Sequence, residues 1–314
     1  MNKKIIENNL KKVRDLINDS WKREMLFKDK TQWEKVCSSM DVLEDTQIAI
    51  NSYFDLSDSN FDETGKCYLL LYGLLQAFFL QQDAINNLSQ ALFNKEIKWK
   101  EEYPSLFEIR KIRNDAIGHP TSRNNDESFH YISRNSLKKN SFELASFYPK
   151  KKSNFKDKII DLNDIRNEQE RVFCNILKNI IKSLKKELKE HKMQFKDIKL
   201  IDLIPKNFNY HLEKLYEGIF KNYPLIEINF KMIKESYEKI KNEIIKRYTS
   251  LDALEGVKFT CEKIDYTLTK IEGWIKNNNF YNNKDAKLFL DNFKFNFNEF
   301  IVILREIDKE FQCD

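Results

Sequence analysis

With 314 residues, 41% of them hydrophobic, the chain can bury a sizeable core and form one large or two ordinary domains. Only six glycines and five prolines occur, against heavy use of Lys, Glu, Asn, Ile, Leu and Phe, and this composition points to helices rather than sheets. The 54 basic residues are offset by 49 acidic ones, so the net charge of +5 permits nucleic-acid binding without demanding it.

Cys37, Cys67, Cys174, Cys261 and Cys313 show no CxxC pair and no metal-ligand spacing, which fits reduced thiols in a cytoplasmic protein. The opening MNKKIIENNLKK lacks an apolar h-region, so no signal peptide is expected. The longest apolar run, Cys67 to Leu80, is too short for a membrane span and is interrupted by Gly73 and Gln76, so it reads as a buried core helix.

In chain order, Ile6, Leu10, Val13 and Ile17 share one helical face in an N-terminal helical segment, residues 1–30. A second helix is predicted from Thr31, where Thr31 and Glu34 form a capping box and Val36, Met40, Leu43, Ile50 and Phe54 point inward. A polar loop over 55–64 precedes a long helix from about Gly65 to Phe93, apolar nearly all round in its first half and so expected to be covered on several sides. Gln76, Asp83, Asn87 and Gln90 form a narrow polar stripe on it. Either Asp83 or its neighbours face Arg113 of the next helix and hold its guanidinium in place, or the stripe is a solvated edge.

That next helix opens at Pro104 and carries Leu106, Ile109, Ile112, Ala116 and Ile117 at helical spacing, with Arg113 on or beside the apolar stripe. An inward guanidinium needs a carboxylate, a phosphate or a water-filled cleft, because it cannot be neutralised. Gly118 and Pro120 are expected to end the helix, Gly118 in a left-handed cap. A reversal there swings His119 back beside Arg113 and Asn114, giving a cation, an amide and an imidazole in one cluster suited to phosphate chemistry.

Arg113, Asn114 and His119, with five residues between Arg and His on a short helix ending in GHP, resemble the R-N-x-H signature of the HEPN superfamily. The preceding YLLLYGLLQAFFLQQDAINNL resembles that superfamily's long second helix, and the likeness covers roughly residues 31–195. It implies an all-α, HEPN-like helical bundle and a metal-independent ribonuclease of toxin–antitoxin, abortive-infection or similar defence systems. Such enzymes commonly dimerise so that two motifs meet, and the resemblance therefore implies a homodimer through the Arg113 helix. One departure is Thr121, where toxins paired with a nucleotidyltransferase carry Tyr.

After the motif, alternation in Phe129, Tyr131, Ser133 and in Phe142, Leu144, Ser146 around a KKNS turn predicts a two-stranded hairpin near 128–149, the chain's one sheet. His130 and Arg134 lie on it, near enough to reach the same cleft, although a hairpin His and Arg are also ordinary solvated surface. The basic run Lys150, Lys151, Lys152, Lys156, Lys158 precedes a helix from about Asn163 to His191 with Val172, Ile176, Ile180 and Leu184 inward and a late crowd of lysines. Those lysines read as solvated surface and, if RNA is cut, as a source of backbone attraction. Pro205 marks a boundary, beyond which helices near 207–222, 226–249, 251–277 and 284–311 form a C-terminal helical extension, residues 205–314, with Phe289, Phe293, Phe295, Phe297 and Phe300 in its core.

The chemistry expected is attack of a 2′-hydroxyl on the adjacent phosphorus, leaving a 2′,3′-cyclic phosphate. His119 transfers a proton near neutral pH, Arg113 clamps the non-bridging oxygens and Asn114 binds phosphate or orients His119. Asp83, Asp115 and Arg110 are supporting candidates; His130, Arg134, Arg123, Lys150, Lys151 and Lys152 are candidate substrate contacts. The second proton-transfer group comes from a partner copy's motif or from His130. No metal or cofactor is required. The partners expected are a tRNA or mRNA substrate, a second copy, and an antitoxin or phage-derived trigger. The alternative is an inactive HEPN-like scaffold in an antiphage or regulatory complex.

Overall fold

Short carboxylates set the starts of the second and third helices. The computed structural model describes residues 4–118, 128–150, 154–221 and 223–312. Helix α1, Lys4–Ile17, is followed by α2, Ser20–Phe27, whose N-cap Asp19 accepts from the Trp21 and Lys22 amides at 3.1 and 3.4 Å. Helix α3, Lys30–Asp55, is capped by Asp29, which accepts from the Thr31 and Gln32 amides at 2.9 and 3.2 Å. The expected Thr31–Glu34 capping box is therefore not used: an ionised Asp placed two residues earlier satisfies the free amides and meets the helix dipole. The N-terminal helix that the sequence predicts over residues 1–30 is two helices, α1 and α2.

Helix α4, Thr64–Phe93, pairs with α3 and presents Leu71, Leu74, Leu75, Phe78, Ile85 and Leu88 to the core. It is not covered all round: Leu69 is 73% exposed, Tyr72 40% and Leu80 41%. At about 100° per residue these three share a face with Gln76, Asp83 and Asn87, so the polar stripe and the exposed apolar residues are one open side of α4. A short α5, Trp99–Glu102, leads into α6, Pro104–Arg113, with Pro104 in its first turn as expected. The chain then widens into a single π turn, Asn114–Gly118. Gly118 is not a left-handed cap, since no described glycine has positive φ; it serves another purpose, described below.

The predicted hairpin is present as β1, Phe129–Ile132, and β2, Ser141–Phe147, but a third strand, β3, Phe155–Asp161, adds antiparallel to β2 to give the order β1-β2-β3. The expectation of a two-stranded sheet is corrected. In β3 only Ile160 is buried. An edge strand with one buried side chain leaves no hydrophobic alternation to read. Helix α7, Leu162–Met193, follows, then α8, Phe208–Phe220, α9, Ile226–Tyr248, α10, Glu255–Lys276, and α11, Lys284–Gln312. The fold is mostly α with a small β insertion. Among the described residues no helix is long and apolar enough to cross a membrane.

The chain divides into two compact units. The first comprises residues up to Ile17 with Asp29–Leu184, the second Asn18–Lys28 with Lys185 onward. The division thus falls inside α7 rather than between 195 and 205, and α2 joins the C-terminal unit; periodicity along one helix does not reveal where its packing partners change. In the first unit a buried glutamine chain ties three helices. Gln81 Nε2 donates to Gln47 Oε1 at 3.0 Å, Gln169 Nε2 to Gln81 Oε1 at 2.9 Å, and Gln82 Nε2 to Gln169 Oε1 at 2.8 Å. Because each of these amides is buried, the three bonds hold α3, α4 and α7 in one register, although Gln82 Oε1 is left without a hydrogen-bond partner.

The second unit packs Ile233, Tyr237, Ile240, Ile264, Leu290, Phe300 and Leu304 into one core. Phe293 and Phe297 are buried there as expected, Phe289 packs at its margin, and Phe295, 64% exposed, does not belong to it. At one end His191 stacks on Trp21, ring centroids 3.9 Å apart, and its Nε2 donates to the Arg247 carbonyl at 2.7 Å. Burial lowers the His191 pKa below the ordinary 6.5, with that hydrogen bond acting in the opposite sense. The folded chain then binds this proton less readily than the unfolded chain, so stability falls as pH drops below about 6.5 toward the lowered folded value. Melting temperatures should be lower at about pH 5.5 than at about pH 7.5, and His191→Gln should flatten the difference. An unchanged difference in the variant would remove His191 as its source.

Candidate functional site

Residues on α4 and α6 build the site. Arg110 and Arg113, three apart on α6, fall on one helical side and meet Gln76, Phe79 and Asp83 of α4, which lie at helical spacing on the facing side. Arg110 Nη1 donates to Asp83 Oδ1 at 2.8 Å. Both guanidiniums lie over the Phe79 ring, Arg110 at 4.1 Å and Arg113 at 4.4 Å from its centroid. Asp83, expected to face Arg113, thus pairs with Arg110 instead, because Asp83 lies two turns further along α4 than Gln76 does.

Arg113 is held by neutral groups. Its Nε and Nη2 donate to Gln76 Oε1 at 3.0 and 2.6 Å, and its Nη1 donates to Asn114 Oδ1 at 2.9 Å. Among the described residues no carboxylate lies within ion-pairing distance of it. Burial, and after it the charge of Arg110, lower its pKa from the usual arginine value. A guanidinium nevertheless stays charged at working pH. Among the described residues three of its five N–H groups are used, leaving one on each terminal nitrogen. The result is a half-buried, oriented cation with donors to spare.

Gly118 makes this placement feasible. A Cβ at that position would stand 2.7 Å from Arg113 Nη1 and 3.3 Å from Asn114 Oδ1. The π turn lays the backbone of Gly118 against the guanidinium, where only a hydrogen fits. Because the clash is with the free end of a long side chain, Gly118→Ala should cost little in folding, about 1 kcal/mol, while moving Arg113. The Arg113 Nε–H resonance should shift with a nearly unchanged melting temperature; an unmoved resonance would show that the pocket tolerates the methyl.

His119 and Arg123 lie outside the described residues, as do Lys151 and Lys152. Asp115 is buried, and its Oδ1 lies 3.9 Å from His130 Nε2. His130 is itself buried, its Nδ1 bonded to Ser146 Oγ at 2.9 Å and its Nε2 to Ser128 Oγ at 3.0 Å. The expectation that His130 is surface or reaches substrate from the hairpin is corrected: in β1 the even positions His130 and Ile132 turn inward while Phe129 and Tyr131 face out. Asp115 and His130 together fasten the sheet to the π turn. Arg134 and Lys150 are exposed and are not joined to the Arg113 cluster.

Sequence reasoning missed Gln76 as the principal partner of Arg113 and Phe79 as the platform beneath it. The signal for Gln76 was its place in the polar stripe; Phe79 looked like any core aromatic. Comparison with family models, curated proteins and solved structures finds no match to this chain.

Proposed function

We propose that the chain is a metal-independent endoribonuclease of a bacterial defence or toxin–antitoxin system, acting on tRNA or mRNA from a HEPN-like site. The observation that carries this reading is the Arg113 guanidinium, preorganised by Gln76 and Asn114, lacking a described carboxylate counter-ion and keeping two donors. Such a group binds an anion without first breaking an ion pair, and a planar fork matches the non-bridging oxygens of a phosphorane. His119 directly follows Gly118, the residue against which Arg113 packs, and supplies proton transfer.

Because His130 is enclosed by hydroxyls, the second proton-transfer group is assigned to a partner copy. The open side of α4, with Leu69, Tyr72 and Leu80 exposed around Gln76, supports a homodimer that brings two Arg113 sites together. An antitoxin or phage-derived trigger would act on this dimer. The scaffold alternative draws on one observation: three hydrogen bonds already engage Arg113, as a purely structural cation would be.

Sequencing the cut ends of cellular RNA after expression tests the proposal. Fragments with 2′,3′-cyclic phosphate, formed equally with a chelator present and lost with His119→Ala, are expected. Intact RNA with folded wild-type protein would sink the enzymatic reading and leave the scaffold.

A further inference from the structure

Helices α10 and α11 carry a row of large apolar side chains that serve no core. Phe259 and Tyr266 on α10, and Leu288, Phe295 and Val302 on α11, are 50–65% exposed. Within each helix they are seven residues apart, so each row runs along the outer side, opposite the buried Ile264, Leu268 and Ile271 of α10 and Leu290, Phe297 and Leu304 of α11. A repeat of seven on neighbouring helices is the spacing that another helix reads as a seam. Joined by the short segment 277–283 and packed side by side, α10 and α11 run antiparallel. Thr267 Oγ1 lies 3.4 Å from Asn292 Oδ1, which sets these two residues level, and Lys263, Asn292 and Phe295 line a groove of about 450 Å³ between the helices.

Charge on the groove side sorts by helix. Four residues after each ring of α10 comes a lysine, Lys263 over the Phe259 ring at 4.1 Å and Lys270 over the Tyr266 ring at 5.3 Å. Four residues after Phe295 and Val302 of α11 come carboxylates, Glu299 and Glu306. Among the described residues none of these four has an ion-pair partner. At about 100° per residue, Glu255 and Glu262 leave α10 on the flank away from the groove, as Lys284, Asp291 and Lys309 leave α11.

The two helices share one apolar spacing and carry opposite charges, so each complements the other rather than itself. A twofold axis along the helices would set α10 of one copy antiparallel over α11 of the next, at the same height. Counting from the Thr267–Asn292 level, Tyr266 then meets Phe295, Phe259 meets Val302, and Lys263 stands within about a turn of Glu299 of the second copy. Turning α10 onto α10 would oppose lysine to lysine.

We propose that this face joins two copies of the chain in a four-helix bundle built from α10 and α11 of each. The contact is additional to the one proposed at α4 and does not rest on the ribonuclease reading.

Sedimentation equilibrium of the full-length chain tests it. Lys263→Glu and Glu299→Lys should each weaken self-association about tenfold or more, because each sets like charges together twice across the axis. Melting temperatures should stay at the wild-type value, since both side chains are exposed. An equal mixture of the two variants should regain wild-type association, because every contact in the mixed pair again joins a lysine to a glutamate. Association through α4 is common to all samples and drops out of the comparison. Wild-type association in both single variants overturns the proposal, and so does a mixture no tighter than its components. A wild-type chain that stays monomeric at the highest concentration loaded also overturns it and leaves the face to a different protein.

Discussion

Replacing Arg113 by Ala is expected to lower RNA cleavage by about 10²–10³-fold or more, the range for removal of a preorganised oxyanion-stabilising donor. Folding should suffer much less. The change removes three hydrogen bonds and the contact with Phe79, all in a half-buried place open to water, so roughly 1 kcal/mol is at stake. Arg113→Lys keeps the charge yet loses the fork that reaches Gln76 and Asn114 together, and should restore little activity.

Gln76→Glu separates a catalytic cation from a structural one. A carboxylate in place of the Gln76 amide would give Arg113 the counter-ion it lacks among the described residues, at the same 2.6 and 3.0 Å positions. A structural arginine would be better held and the protein at least as stable. A phosphate-binding arginine would be quenched. Cleavage should therefore fall with no loss of melting temperature; full activity in Gln76→Glu would sink the view that the uncompensated charge does the chemistry.

The largest stability effect is expected at Asp308. Its Oδ1 accepts from the Leu200 amide at 2.7 Å and from Arg247 Nη1 at 3.2 Å, and its Oδ2 from the Ile201 amide at 3.0 Å. Arg247 is 0% exposed and also donates to the Ile198 carbonyl, with Phe311 4.9 Å beneath its guanidinium. Asp308→Ala strands a buried cation and two amides, a loss of about 3–5 kcal/mol. The melting temperature of the C-terminal unit should fall by roughly 10 °C, followed by Trp fluorescence. Replacing both partners, Arg247→Met with Asp308→Leu, should recover much of it, since an apolar pair needs no compensation. A single variant as stable as wild type would show the pair to be solvated.

Helix positions were legible because burial repeats with the helical period: Val36, Met40, Leu43 and Ile50 on α3, and Val172, Ile176, Ile180 and Leu184 on α7, are all buried as their spacing requires. Strand β3 was not legible, because Phe155 and Ile159 face solvent and Ile160 alone is buried. Capping residues were misplaced by two positions for a related reason: Thr31 and Asp29 both satisfy the local pattern, and the observed φ, ψ decides between them.

The Arg113, Asn114, Gly118 constellation could be singled out from residue types and spacing, since a guanidinium on an apolar stripe is a cost any fold must meet. What meets it was decided only by tertiary structure. Whether Asp83 faces Arg110 or Arg113 depends on the axial offset of α4 against α6, a matter of one helical turn, and that turn separates an arginine paired with a carboxylate from one held, among the described residues, by amides alone. The sequence by itself determined the long helices, the sheet's location and the arginine on which the proposed chemistry turns. Packing alone assigned Gln76 as its holder, Gly118 as the space it occupies and His130 to the interior, because periodicity records which way a side chain leaves its own element and not what stands opposite.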